Sequence, residues 1–219
     1  MLSFAFWLLS GIMIAAQSSY YSSLLLFIFA TGVSGMLRDD LLSALSDMET
    51  MAKTFGIEPF DLYLLGGSGC VIAEYLDRAT RDFDIIDMEY SSRLGRVLKL
   101  LEPYDIIDIQ MATIASSFRD RALRLDRFEY LGIYVLSRED IIVSKLGRYS
   151  PQDVLDIKTM MPDCQASVLF QLIIEVLDRV DLISRGKIAM VNNAKQMFKD
   201  CDLYVPDYVQ QLEKLLSVL

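Results

Sequence analysis

The chain has 219 residues, a hydrophobic fraction of 53% and a formal net charge of −9 at pH 7. A broad nucleic-acid surface is disfavoured, because phosphate neutralisation needs clustered lysine and arginine. Histidine is absent, which excludes Ser-His-Asp and Cys-His catalysis and imidazole metal sites, so any metal would take oxygen ligands and Mg²⁺ or Mn²⁺ is favoured over zinc.

Residues 1–37 contain no charged side chain, and two apolar runs flank a polar patch over residues 17–23. Each run is shorter than the roughly 20 residues that span a bilayer. A secretory signal should open with positive charge, whereas the first cation here is Arg38. Three interpretations stay open for residues 1–35: a membrane anchor or hairpin, a signal-like leader, or an extension upstream of a start at Met36.

The remaining chain alternates helices with short strands. Residues 37–55 have apolar side chains at helical spacing, and residues 62–65 are a short buried strand. Ser68 is a candidate N-cap for a helix over residues 69–76. The next predicted elements, in chain order, are a strand over residues 83–88, a helix over 91–101 and a strand over 104–112.

The second half is increasingly helical. Four arginines lie within residues 118–127, and strand-like residues surround a turn at Gly132. Ser137 with Asp140 resembles a capping box that opens a helix to about residue 149, and Ser150 before Pro151 begins another over residues 152–161. Three more helices are predicted over residues 166–182, 187–199 and 206–219. Short strands alternating with helices, followed by a run of helices, predict an α+β core with a helical C-terminal part.

Two carboxylates stand where the second strand begins. In a strand, Asp82 and Asp84 point to one face, with Cβ atoms roughly 6–7 Å apart at a rise of about 3.3 Å per residue. Carboxylates at that spacing can share one Mg²⁺ or bridge two ions. The turn formed by Gly66, Gly67 and Ser68 lies between a strand and a helix, where free N–H groups favour an anion. Either feature alone is commonplace, but their joint pattern predicts a site for a metal and a phosphate.

This pattern resembles the nucleotidyltransferase superfamily that includes DNA polymerase beta, and in particular small prokaryotic proteins related to abortive-infection and toxin–antitoxin nucleotidyltransferases. The matching residues read GGS and then RATRDFD over residues 78–84. A later block, YVLSREDIIVSKLGR over residues 134–148, followed by an aspartate pair at positions 153 and 156, is also similar. The resemblance covers about residues 62–161.

The resemblance implies that Gly67 and Ser68, with Gly66 in the same turn, hold a nucleoside triphosphate and that Asp82 and Asp84 ligate Mg²⁺. A third carboxylate should come from the next core strand. Asp108 is the first candidate, because a carboxylate among apolar strand residues is unfavourable unless it meets a metal or a donor, and Asp105 is the alternative.

Further cations and acids would complete the site. Lys145 would neutralise phosphate as a point charge. Asp153 and Asp156 share one helix face, where they either pair with Lys145 or Arg148 or take part in the site. The four arginines of residues 118–127 line the pocket, meet an RNA or protein partner, or form solvated pairs with the neighbouring acids that dilute their charge.

The prediction is a minimal nucleotidyltransferase fold over residues 36–163 with a helical extension over residues 164–219. The first functional hypothesis is an enzyme that uses Mg²⁺ or Mn²⁺ to transfer a nucleoside monophosphate from an NTP to a hydroxyl of a protein or RNA. The second is a catalytically weak or inactive relative that acts as a binding or antitoxin-like partner of a cognate protein.

The location of the protein is predicted from its cysteines. Cys70, Cys164 and Cys201 are far apart and odd in number, which fits neither a zinc pattern nor a disulfide framework. We expect buried thiols in a reducing compartment and therefore a cytoplasmic protein. If residues 1–35 are a real anchor, we expect a membrane-tethered protein with its core in the cytoplasm.

Overall fold

The computed structural model of the protein describes residues 35–179, 182, 184–203 and 205–216. The three interpretations of residues 1–35 therefore concern a segment outside the described residues, apart from Gly35. Within the described ranges, no helix combines the length and the apolar character needed to cross a bilayer. Cys70 is a buried free thiol, and Cys164 and Cys201 are half-buried free thiols.

A mixed sheet forms the centre of the fold. Its five strands are β1 (Asp61–Leu65), β2 (Phe83–Ile86), β3 (Tyr104–Ile107), β4 (Leu123–Arg124) and β5 (Gly132–Val135). They lie in the order β3-β2-β1-β5-β4. β1 is antiparallel to β2 and parallel to β5, β3 is parallel to β2, and β4 is antiparallel to β5. The start of β2 and the start of β3 therefore lie at the same end of the sheet as the end of β1.

Helices flank this sheet and continue beyond it. They are α1 (Arg38–Thr54), α2 (Gly66–Ile72), α3 (Gly95–Leu98), α4 (Arg138–Lys145), α5 (Pro151–Met160), α6 (Ala166–Asp178), α7 (Ser184–Asp200) and α8 (Pro206–Leu216). Together with the mixed sheet, they confirm the predicted α+β class and the minimal nucleotidyltransferase fold with its helical C-terminal part.

Local sequence accounts for these elements. In α1, buried Leu41, Leu45 and Met48 recur at the three- to four-residue spacing that places them on one face. Ser137 caps α4 by accepting the Asp140 N–H, as predicted. Ser150 and Asp153 form a reciprocal capping box at the start of α5.

β1 is the central strand of the sheet and contributes to the hydrophobic core. All four residues after Asp61 in this strand are buried, as expected for a strand between two neighbours with both faces covered. On the helical side, α6 packs against α4. The Phe170 ring of α6 stacks on the Tyr208 ring of α8, with ring centroids 4.3 Å apart.

Some predicted boundaries are wrong, and one of them affects the site. The helix after β1 begins at Gly66 and ends at Ile72, whereas it was expected over residues 69–76. Its N-cap is Leu65, not Ser68. The third strand ends at Ile107, not at residue 112, because the chain turns sharply after it: the N–H groups of Met111 and Ala112 both donate to the Asp108 carbonyl.

Candidate active site

An open cleft of about 910 Å³ lies at the end of the sheet where β1 gives way to α2. Of the predicted site residues, five line this cleft: Gly66, Gly67, Asp82, Asp84 and Lys145. Ser68 and Asp108 are not among its lining residues. The sheet topology explains this grouping, because β1 and β2 are antiparallel, so the turn after β1 and the start of β2 lie at the same end of the sheet.

The glycine turn is shaped around Asp84. Gly66 has a φ of +59°, in the left-handed region that favours glycine. A Cβ on Gly66 would collide with the Asp84 carboxylate. The next residue, Gly67, donates its N–H to Asp84 Oδ2 at 2.9 Å. The turn therefore holds a carboxylate of the site directly, a role beyond the phosphate contact that the sequence suggested.

Ser68 supports Asp84 from inside the protein. Its side chain is fully buried, and its hydroxyl donates to the Leu65 carbonyl at 3.2 Å. The same hydroxyl oxygen accepts the Asp84 N–H at 2.9 Å. The hydroxyl therefore links the start of β2 to the backbone before α2. Ser68 does not line the cleft, and its one proton is already donated within the protein.

Asp82 and Asp84 form an acidic pair whose negative charge is only partly compensated. Asp82 directly precedes β2 and Asp84 is its second residue, and both line the cleft as predicted. Burial raises the pKa of Asp84 to about 6, and the negative charge of Asp82 adds to the rise. The N–H of Gly67 and the charge of Lys145 oppose this rise only in part. The pair therefore favours any added positive charge.

The next strand supplies a third carboxylate to the same cleft. Asp105 of β3 pairs in register with Asp84 of β2, lines the cleft, and also raises the pKa of Asp84. Asp108 follows the end of β3, and its Oδ1 accepts the Gln110 N–H at 2.8 Å. The structure thus brings Asp105, the alternative, beside the acidic pair and does not bring Asp108 there.

A cluster of charged residues around the buried Lys145 forms another part of the lining. Lys145 Nζ donates to Asp153 Oδ1 at 3.0 Å and to Asp156 Oδ2 at 2.9 Å, and only 7% of its side chain is exposed. Burial alone would lower the pKa of Lys145, but hydrogen bonds and charges from both aspartates outweigh burial and raise it. Lys145 is therefore a permanent cation of the cleft lining, and its role in neutralising phosphate stays a prediction.

Two arginines complete this cluster. Arg78 donates to both carboxylate oxygens of Asp156, at 3.1 and 2.9 Å. Arg148 does the same to Asp153, at 2.8 and 2.9 Å. These bonds confirm the predicted pairing of Arg148, whereas the role of Arg78 was missed. Arg78 is the first residue of the RATRDFD segment, and this position close to the predicted carboxylates could have marked it as a site residue.

The arginines of residues 118–127 do not line the cleft. Arg121 instead forms a two-bond ion pair with the fully buried Asp140 at the start of α4. Arg119 and Arg127 each lie over a neighbouring phenylalanine ring. Of the alternatives for this segment, their positions do not support lining of the pocket, and contact with a partner stays a prediction.

The donor set of the cleft fits a divalent cation. Four cations and five carboxylates line it, so a triphosphate would meet excess negative charge unless a metal ion entered with it. Among the described residues, no three carboxylate or thiol groups are close enough to hold an ion by themselves. Mg²⁺ usually takes one or two protein carboxylates and completes its shell with water and substrate phosphates. Asp82 and Asp84 can supply these carboxylates.

Gly66→Ala should disrupt the site and weaken the fold. Its Cβ would collide with the Asp84 carboxylate, and the left-handed backbone itself disfavours alanine, by about 1–2 kcal/mol. We expect thermal unfolding at lower temperature and loss of Mn²⁺ binding by calorimetry. Gly95→Ala is the matched control, because nothing lies within 4 Å of a Cβ there. Equal behaviour of the two variants would contradict this account of the turn.

A mixed sheet with a Gly-Gly-Ser turn, paired carboxylates at the start of the adjacent strand and a buried lysine in the same cleft defines a nucleotidyltransferase. The chain belongs to the family described as nucleotidyltransferases of unknown function (DUF6036), which matches residues 39–200. No curated protein and no solved structure matches the chain. The class predicted from the sequence is therefore confirmed.

Proposed function

We propose that the protein uses Mg²⁺ or Mn²⁺ to transfer a nucleoside monophosphate from an NTP to a hydroxyl group of a protein or RNA. The observation that carries this proposal is the environment of the Asp84 carboxylate. Its carboxylate accepts the Gly67 N–H at 2.9 Å, lies beside Asp82, and has a pKa raised to about 6 by burial and by that neighbour. Natural proteins retain such an unfavourable arrangement at functional sites.

The residues have distinct tasks in this proposal. Asp82 and Asp84 would hold the metal, which when bound neutralises phosphate charge and stabilises both the attacking and the leaving oxygen. Lys145, Arg78 and Arg148 place positive charge where the triphosphate would enter. The acceptor oxygen attacks the α-phosphorus, the bond to the bridging oxygen breaks, and pyrophosphate leaves. Asp105 would accept the proton of the attacking hydroxyl.

A catalytically inactive binding partner is the second candidate function. It is favoured by one feature of the described chain, namely that no preformed three-ligand metal group is present there. In that case the cleft would bind a nucleotide or a cognate toxin or antitoxin protein without turnover. The acidic pair and the incompletely compensated charge of Asp84 favour the enzyme.

The position of the radiolabel in the product tests the proposal. The protein is incubated with cell extract, Mg²⁺ or Mn²⁺, and each NTP labelled at the α- or the γ-phosphate. We expect label in a macromolecular acceptor from the α-labelled nucleotide only, with release of pyrophosphate. Protease and ribonuclease treatment of the product then distinguishes a protein acceptor from an RNA acceptor.

The control is the double variant Asp82→Ala/Asp84→Ala, which should transfer no label. Transfer of the γ-label would indicate a kinase and contradict the proposal. Nucleotide binding by calorimetry without any transfer would favour the inactive binding partner. Absence of both binding and transfer would overturn both candidates.

A further inference from the structure

The segment after β3 forms a neutral wall of the cleft. Residues 110–113, which read QMAT, all line the cleft and carry no charge. The segment lies against α4, since Thr113 Oγ1 donates to the Ser144 carbonyl at 2.8 Å. Gly147 permits this approach, because a Cβ there would lie 2.8 Å from Thr113 Oγ1.

Arg179, directly after α6, fixes the course of this wall. Its guanidinium donates to the carbonyls of Ala112 at 2.6 Å, Ile114 at 2.9 Å and Ile109 at 2.8 Å. Three carbonyls on one planar fork restrain the segment on both sides of residues 110–111. A side chain of the C-terminal helical part thus shapes the cleft without lining it.

One turn earlier on α6, Glu175 holds the continuation of the same segment. Its carboxylate accepts the Ser117 N–H and the Ser116 hydroxyl, each at 2.8 Å, and the Ser117 hydroxyl at 2.7 Å. Glu175 near the end of α6 and Arg179 directly after this helix therefore bind residues 109–117 together. The segment is restrained, although no regular strand or helix is assigned to residues 108–117.

Met111 stands out on this restrained wall. This residue is 81% exposed, although the backbone on both sides of it is held by Arg179. A thioether is polarisable and makes favourable contacts with aromatic rings. An apolar side chain presented on a fixed backbone at the rim of a cleft is suited to cover a flat ring.

The cleft therefore has a positively charged part and an uncharged part. Arg78, Lys145 and Arg148 supply the positive charge that a triphosphate requires, whereas the wall of residues 110–113 carries only the uncharged side chains of glutamine, methionine, alanine and threonine. We infer that this wall receives the nucleoside part of the NTP, with Met111 against the base, and that Arg179 is the positioning residue that holds it. This inference rests on the proposed function and assigns the nucleoside subsite within it.

Comparing ATP with inorganic tripolyphosphate tests the inference, because tripolyphosphate has no nucleoside. Binding of each is measured by calorimetry with Mn²⁺ for wild type, Met111→Ala, Arg179→Met and Arg179→Lys. For Met111→Ala and Arg179→Met we expect ATP affinity to fall up to about tenfold, the scale of a lost thioether–ring contact, with tripolyphosphate affinity unchanged. Arg179→Lys retains a donor and should recover part of the ATP affinity.

Arg138→Met is the matched control, because Arg138 contacts Asp163 and the Tyr75 ring and does not line the cleft. It should bind both ligands like wild type. Met111 is mostly exposed, so its replacement keeps the test valid even if Arg179→Met unfolds. Unchanged ATP binding by Met111→Ala, or an equal loss for both ligands, would overturn the inference. If wild type binds neither ligand, the proposed function fails as well, which is a distinct result.

Discussion

Asp84→Asn should reduce nucleotidyl transfer by about a thousandfold while leaving the folded protein at least as stable as wild type. In the proposed reaction Asp84 holds the metal, so loss of its charge removes several kcal/mol of transition-state stabilisation, and each 1.36 kcal/mol is tenfold in rate. Stability should not fall, since the neutral amide keeps the size of the side chain. It also removes a charge that burial and Asp82 disfavour.

The pH dependence of stability provides an independent measure of the same residue. The pKa of Asp84 is raised from 3.8 to about 6, so the folded state holds a proton that the unfolded state releases. The stability advantage of protonated Asp84 is fully present below pH 3.8 and is lost as the pH rises to about 6. Relative to Asp84→Asn, metal-free wild type should lose at most about 3 kcal/mol across this window.

Chemical denaturation of both proteins in a chelator, between pH 4 and pH 8, measures this difference. The curves for wild type and Asp84→Asn should diverge up to about pH 6 and then run parallel. A constant difference across the window would show that the Asp84 carboxylate is not held in an unfavourable setting. Gain of stability together with loss of transfer would identify a residue kept for function.

The parts of the site that local sequence determines could be predicted. The turn at Gly66 and Gly67 was recognisable because an apolar run ends in glycines. Asp82 and Asp84 were recognisable because a D-x-D pair begins the next strand. The pairing of Lys145 with the aspartates of α5 was recognisable from a lysine late in one helix and an i, i+3 pair in the next.

The features of the site that could not be predicted depend on contacts between residues far apart in the sequence. The choice between Asp105 and Asp108 depends on where β3 ends and on its register with β2, which places Asp105 beside Asp84. Ser68 was expected to face a ligand, but the earlier start of α2 turns its hydroxyl toward the backbone of β2. Contacts such as that of Arg179 with Ile109 join residues 70 positions apart, and no local pattern announces them.

Lys145→Met should destabilise the protein by about 3 kcal/mol, the scale of breaking a buried ion pair by removal of one partner. The aliphatic part of the side chain is retained, so the loss is electrostatic: Asp153 and Asp156, at 0% and 2% exposure, each lose a partner. Tripolyphosphate affinity should also fall, because a buried permanent cation leaves the cleft. Denaturation and calorimetry measure the two effects separately.

Lys195→Met is the control for charge removal in general. Lys195 pairs with Glu213 at the surface, where the partner side chain is 55% exposed, so its loss should change stability by less than about 1 kcal/mol. It lies outside the cleft lining and should leave tripolyphosphate binding unchanged. A similar destabilisation by both substitutions would contradict the special position of Lys145.

The double variant Lys145→Met/Asp156→Asn separates the structural role of Lys145 from its proposed contact with phosphate. Neutralising Asp156 removes one of the two buried charges left without their lysine partner, so part of the lost stability should return. Arg78 can still donate to the amide oxygen of the new side chain, which limits the damage on that side of the cluster. Tripolyphosphate affinity should remain low, because the cation that would meet the anion is still missing. If affinity returned together with stability, Lys145 would only support the fold, and the phosphate would have to be held by the arginines.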